Sequence, residues 1–360
     1  SAYVLPAFYH IFAIGHIAIE KLNTNRPAST LCGILFFAEP VHRNMPAQRC
    51  AERRVIFISL LPFKAIDITD RAWITSCLTQ SRRASLEYNF TSIFIWQHAF
   101  KLRAAESCGR LIVLSDPDNP SYLFPDSPGP IEPVVETLYR DAAARGVPLR
   151  FNVVLEEDKA RLEQAYPNQF EFTANRDEYD YVYASENLIT LKGRKLSSKR
   201  NHLNHFMVTY RDWAYEPITP QNIGEARGME PAWQEENAIY INESLEMEAI
   251  AVDLALNHFF ELGLTGGLLR VGGKAVAFTM GEPLNDTTYL VHIEKALAEY
   301  AGAYQMINRE FAETNCASYP YINREDDAGD EGLRRAKLSY DPAFLVTKYK
   351  AQLIGDRLQP

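Results

Sequence analysis

The chain has 360 residues, of which 47% are apolar and 23% charged, with a formal net charge of −9. Domains usually run to about 100–200 residues, so two are expected, and a chain this long buries a sizeable core without disulfides or structural metals. The composition excludes a disordered or low-complexity protein, and the negative charge excludes indiscriminate coating of nucleic acid or anionic lipid. Any phosphate contact must come from a local basic patch. The five cysteines (Cys32, Cys50, Cys77, Cys108, Cys316) are odd in number, widely spaced and without a C-x-x-C pair. That pattern predicts neither a zinc site nor a disulfide framework, and it fits a reducing, cytoplasmic compartment.

Ala2–Ile19 is apolar but interrupted by His10, Gly15 and His16, and it closes on Glu20. A spanning helix needs about 20 mostly apolar residues, which this run does not supply. Leu31–Ala38 is shorter still, and Arg43–Arg54 is basic and polar with no period. Residues 1–57 are therefore expected to be an atypical extension, with Met45 as a natural start. The alternative is a weak membrane-association segment, which would make the protein membrane-peripheral.

From Val55 the sequence reads as ordinary domain sequence. Thr69–Gln80 has helical spacing, and Ile93–Trp96, rich in aromatic and β-branched residues, predicts a strand. Arg110–Leu114 and Ser121–Phe124 read as short strands. Ile131, Val134, Val135, Leu138 and Ala142 form one apolar stripe of a helix ended by Gly146. Leu149–Leu155 reads as a buried strand, Asp158–Tyr166 as a helix, and Phe170–Phe172 with Tyr179–Ala184 as paired strands. In the second half, Met247–Leu262 is a helix closed by Gly263. Three strands follow, Gly267–Val271, Lys274–Gly281 and Thr287–Ile293, the first two joined by a Gly272-Gly273 hairpin turn. Tyr304–Asn315 is a helix and Phe344–Tyr349 a last strand. With no regular βαβ alternation, the fold class is α+β around mostly antiparallel sheet.

Four stretches carry residues suited to chemistry. In Lys192–Phe206, a helix from Ser197 would put Lys195, Lys199, His202 and Phe206 on one face. Five cations within nine residues, Arg200 among them, suit phosphate groups, and Asn201 and Asn204 add aimed polar groups. The plainer reading is a solvated basic helix. In the second stretch, strand alternation puts His292 and Glu294 on one side, as a general acid/base pair or as two polar groups on a wet edge. In the third, Gly302 opens a helix whose free N–H groups suit an anion, although the glycine alone also explains the turn. In the fourth, Tyr319–Tyr340, Asp330 caps a helix Glu331–Leu338 and leaves Asn323, Arg324, Glu325 and Asp326 on a loop. The acids there lack the spacing of a calcium loop, and no metal site is expected.

The runs KLSSKRNHLNHF (195–206), HIEKAL (292–297), GAYQMINREFA (302–312) and YINREDDAGDEGLRRAKLSYDP (321–342) resemble the C-terminal domain of phosphatidylglycerol lysyltransferases. The resemblance covers roughly residues 61–350. It implies two tandem N-acetyltransferase-like (GNAT-like) lobes, expected at 58–207 and 208–360, with the active site in the second. It also implies aminoacyl transfer from charged tRNA to an acceptor, a lipid head group in the named enzymes, with no protein nucleophile. Under that reading His292 or Glu294 is the base, and Lys195, Lys199 and Arg200 hold donor phosphates. Asn204, Gly302, Tyr304, Asn308, Asn323, Arg324 and Glu325 shape the substrate pocket. Acetyl-CoA users of the fold carry a basic, glycine-rich loop before the central helix. Here the loop reads Glu299-Tyr300-Ala301-Gly302-Ala303, which counts against coenzyme A. Two alternatives stay open, an acyl-CoA-dependent N-acyltransferase and a catalytically silent binding module of the same fold.

Overall fold

The computed structural model describes residues 60–78, 82–126, 128–236 and 243–359, so the extension expected at 1–57 lies outside the described residues. The described part opens with a 3-10 turn, Ile68–Asp70, capped by Asp67, which leads into α1 (Arg71–Leu78). α2 (Phe90–Ile95) follows where a strand is predicted. All six of its residues are buried, so neither a period of two nor of 3.6 is visible in the sequence. The side chain of Asn89, accepting from the Ser92 amide, starts the helix despite the β-branched composition.

The first sheet is built from β1 (Arg103–Ser107), β2 (Arg110–Ser115), β3 (Ser121–Leu123), β4 (Arg150–Leu155) and β5 (Phe170–Ala174). α3 (Glu132–Ala144) and α4 (Glu156–Ala165) are set between these strands in sequence. The predicted stripe of α3 is realised, since Val134, Val135, Leu138 and Ala142 are fully buried in one cluster with Phe151 and Leu353. The second sheet starts with β6 (Asp180–Ala184). The short α5 (Ser185–Thr190) and then α6 (Ser197–Thr209) come next, and β7 (Ala214–Pro217) leads to α7 (Ile223–Glu236) and α8 (Glu243–Asn257). β8 (Thr265–Val271), β9 (Lys274–Pro283) and β10 (Thr288–Ala296) form a meander. Gly272 and Gly273, with φ of 59° and 80°, make its first turn. α9 (Ala303–Asn315), β11 (Tyr321–Asn323), α10 (Glu331–Leu338), β12 (Phe344–Val346) and β13 (Lys348–Leu353) complete the chain.

The strand orders are β1-β2-β3-β4-β13-β5 and β12-β6-β11-β10-β9-β8-β7. Only the β3–β4 and β10–β11 neighbours are parallel. The predicted pairing of Phe170–Phe172 with Tyr179–Ala184 does not form, because these strands belong to different sheets. The second sheet thus begins at Asp180, ahead of the expected 208, and the division at 207/208 cuts through α6. The first sheet recovers its missing member, β13, from the end of the chain.

Candidate active site

β10 carries the site, and a bulge in it decides which side chains meet. The β10–β9 register runs Val291↔Gly281 and then Ile293↔Met280, so one residue is extra and the alternation changes parity. Gly281 makes room for this, since a Cβ there would collide with the carbonyl of Leu290. Tyr289 and Val291 pack with Phe311 of α9, and Glu294 and Ala296 also face α9. Ile293 and Lys295 face α7 and α8 instead. The expectation that His292 and Glu294 share a side and act as a pair is overturned by that extra residue.

His292 lies between two carboxylates, with Nδ1 3.1 Å from Glu325 Oε1 and Nε2 3.3 Å from Glu282 Oε1. Its side chain is fully buried. Burial alone would push the imidazole down, but the hydrogen bonds to Glu282 and then Glu325 outweigh it and raise the group to about 9. At neutral pH it is an imidazolium with both nitrogens engaged, which cannot accept a proton. Glu325, with φ +58°, is held by the same histidine and by the side chain of Asn323, whose Oδ1 accepts the Glu325 amide at 2.7 Å. Asn323 is fully buried, and its Nδ2 donates to Ala84 O and to Asp180 Oδ2 at 2.8 and 2.9 Å. His292, Glu325 and Asn323 therefore form the frame of the loop after β11.

On the other face, Glu294 accepts from Arg324 Nη2 at 2.7 Å and from Asn308 Nδ2 at 2.8 Å. The ring of Tyr340 gathers two cations, with Lys199 Nζ 4.2 Å and Arg324 Cζ 4.9 Å from its centroid. Lys199 has no carboxylate partner among the described residues. Burial, and then the Arg324 charge, lower it to about 8. α6, β10, α9 and the β11–α10 segment thus converge on Lys199, Glu294, Asn308, Arg324 and Tyr340. Nothing in the sequence singles out Tyr340 beyond its place at the end of the charged 321–342 run.

The remaining sequence candidates lie elsewhere. Lys195 is exposed and paired with Asp341 at 2.9 Å, and Asn204 is exposed on α6. Arg200 donates to the carbonyls of Leu191 and Gly193, tying down the end of α5 and the turn after it. Gly302, with φ +93°, lets α6 close on the α9 N-terminus, since a Cβ there would stand 2.6 Å from the carbonyl of His202. In the preceding loop the Ala298 amide donates to Glu236 Oε2 at 2.9 Å, and Glu299 pairs with Lys274 at 3.5 Å. A carboxylate occupies this turn, where a phosphate cradle needs free amides and positive charge. Tyr304 Oη accepts from Trp233 Nε1 at 3.1 Å. The Trp233 ring lies 3.2 Å from Lys295 Nζ, and that lysine pairs with Glu248 at 3.1 Å and Glu230 at 3.7 Å. The sequence singles out Tyr304 and the run that holds Lys295, but nothing in its patterning points to their partners Glu230 and Trp233 on α7 and Glu248 on α8. Two small cavities, about 240 and 190 Å³, are lined by Pro62, Lys64 and Trp73 and by Glu163, Tyr166 and Phe172, away from both clusters. Among the described residues there is no group of side chains suited to a metal, and no helix long and apolar enough to cross a membrane.

Two mixed sheets flanked by helices, with a bulged central strand facing a helix across a charged cluster, define a tandem GNAT-like protein. The chain belongs to the family of the phosphatidylglycerol lysyltransferase C-terminal domain, whose model matches residues 79–352. A conserved protein of unknown function from Bacteroides thetaiotaomicron is 40% identical, with 82% of this chain and 100% of that chain covered and a TM-score of 0.78. The C-terminal domain of an Agrobacterium fabrum protein described as a lysylphosphatidylglycerol synthetase shares the fold at 15% identity (80% and 92% covered, TM-score 0.59). So does the L-PGS of Bacillus licheniformis, also 15% identical (74% and 87% covered, TM-score 0.53). An uncharacterised protein of Mycoplasmoides gallisepticum is 25% identical over 181 residues, and the match spans 49% of this chain and 56% of that protein.

Proposed function

We propose that the chain is an acyltransferase that moves an aminoacyl group from a charged tRNA to an acceptor hydroxyl or amine. The observation that carries this reading is the convergence of Lys199, Glu294, Asn308, Arg324 and Tyr340 in a chain whose family match spans both sheets. The acceptor atom attacks the aminoacyl ester carbonyl and its proton passes to Glu294. The bond from the carbonyl carbon to the ribose oxygen breaks, and that oxygen takes the proton back. Lys199 and Arg324 balance the negative charge that develops on the ester oxygen.

Coenzyme A fits less well, because Glu236 caps the loop before α9 and the α6 backbone lies against Gly302. A second reading, a binding module without turnover, is favoured by Glu294 being already engaged by Arg324 and Asn308.

The test is binding of labelled aminoacyl-tRNA to the full chain, with acetyl-CoA titrated in parallel. Saturable tRNA binding that Lys199→Met weakens is the expected result. Glu294→Gln should keep that binding and lower transfer roughly 10²–10⁴-fold. Binding of acetyl-CoA alone would replace the donor in this reading, and binding of neither would leave the module. Lys199→Met is preferred to charge reversal at Lys199 and Arg200 together, because Arg200 holds the α5 terminus.

A further inference from the structure

Among the described residues, the cluster's own hydrogen-bond network leaves one acceptor over, Asn308 Oδ1. Glu294 only accepts, so Asn308 must turn its NH₂ group towards Oε2 and its carbonyl oxygen away. Asn308 is 4% exposed, and its Oδ1 is buried with no hydrogen-bond donor among the described residues in reach. The atom is held in place, because Met306 and Ile307 beside it on α9 are fully buried against the second sheet. Leaving a buried acceptor unpaired is costly, so its persistence on a rigid helix, next to the only carboxylate of the cluster, points to a partner. The pair is not sealed, since the side chains of Glu294 and Arg324 remain 10% and 12% exposed.

We propose that Asn308 Oδ1 is the recognition point for an uncharged hydrogen-bond donor, a hydroxyl or an unprotonated amine, on the acceptor substrate. The proposal rests on the acyl-transfer reading for its role in turnover but not for binding itself. Charge selects the class of ligand. The charged side chains of the cluster are Glu294, Arg324 and Lys199, one negative and two positive, and an ammonium would enter against that balance. An uncharged hydroxyl or amine meets no such penalty, and it is the form whose lone pair is free to attack a carbonyl. A donor bound to Oδ1 also lies beside Glu294, the carboxylate that shares the same amide group and would take its proton.

Two small probes with one skeleton separate the cases, glycerol and serinol, the latter carrying an ammonium at pH 6.5. The full chain is labelled with [¹⁵N]asparagine, and the side-chain amide signal of Asn308 is assigned by its loss in Asn308→Leu. Glycerol should move that signal saturably, and its affinity, followed by thermal shift, should fall roughly three- to tenfold in Asn308→Leu, the worth of one neutral hydrogen bond. Serinol at pH 6.5 should not move it in the wild type, and should begin to in Lys199→Met, where one cation is gone. A signal untouched by glycerol, or moved equally by protonated serinol, overturns the proposal. Failure of charged tRNA to bind would remove the aminoacyl reading and leave this titration unchanged, so the two are told apart.

Discussion

The hydrogen bonds of His292 fix its protonation state, and that state can be measured. With Glu282 and Glu325 on its two nitrogens, the residue is a buried cation between two anions. Removing it in His292→Leu leaves both carboxylates uncompensated, a loss of about 3–5 kcal/mol, read as a lower denaturation midpoint with an unchanged slope. The pH dependence carries the same sign. The folded-state value near 9, against an ordinary 6.5, means that the contribution is complete below pH 6.5 and is lost as pH rises through 9, on the order of 3 kcal/mol in all. Glu282 is shifted the other way; burial opposes the shift, but the hydrogen bond to His292 holds it below 4.5, so its contribution is lost as pH falls. The difference in stability between wild type and His292→Leu should therefore narrow between pH 7 and 10. A difference that stays flat would mean a neutral imidazole and would return His292 to the list of bases. The sequence located these polar groups but not their directions. Asn323, Arg324 and Glu325 are consecutive, yet Asn323 and Glu325 frame the loop and Arg324 alone reaches Glu294. That difference arises from the left-handed backbone at Glu325, which no residue type announces.

Elements with a one-sided apolar pattern were legible, and those buried all round were not. α3 and α9 each present one apolar face to a sheet, and their spacing foretold both. α2 is buried at all six positions and read as a strand, and the bulge in β10 was hidden because Gly281 passed for the end of β9. α6 was legible as a helix, but its seating on the first turn of α9 was not. Leu196 and Phe206 anchor it, with about 1.5–3 kcal/mol from burying the phenylalanine alone. At Gly302 the two helices meet so tightly that the nearest atom to an added Cβ would be a backbone one, the His202 carbonyl oxygen. Gly302→Ala would force a left-handed alanine and push its Cβ to 2.6 Å from the His202 carbonyl. We expect a loss of about 2–5 kcal/mol and faster amide exchange confined first to α6. A neutral substitution would mean that α6 does not rest on that turn, and the argument against a diphosphate at the α9 N-terminus would lose its main support.

At the scale of the molecule, the two sheets are stitched by the last strand. Phe344–Tyr349 was predicted as one strand, but Phe344–Val346 pairs with β6 in the second sheet and Lys348–Leu353 pairs with β4 and β5 in the first. Such a crossing is long-range pairing, which local periodicity does not encode. Lys348 marks the crossing and is fully buried. Its Nζ meets Asp180 Oδ1, at the start of the second sheet, at 2.5 Å, and Glu87 Oε1 at 2.6 Å. Asp180 in turn accepts from the amide of Leu86 and from Asn323. The ion cluster thus joins the first sheet, the segment before α2 and the frame of the β11 loop. Two lobes joined in this way should unfold as one cooperative unit, with fluorescence and circular dichroism giving coincident transitions. Lys348→Met removes the shared cation and leaves Asp180 and Glu87 buried together, at about 3–5 kcal/mol. We expect the midpoint to fall while the single transition persists, because β13 still belongs to the first sheet by its backbone. If the variant instead unfolds in two steps, the cation and not the strand couples the lobes. If the wild type already does so, the lobes are energetically independent, and a site framed by residues of both would have to tolerate their relative motion during turnover.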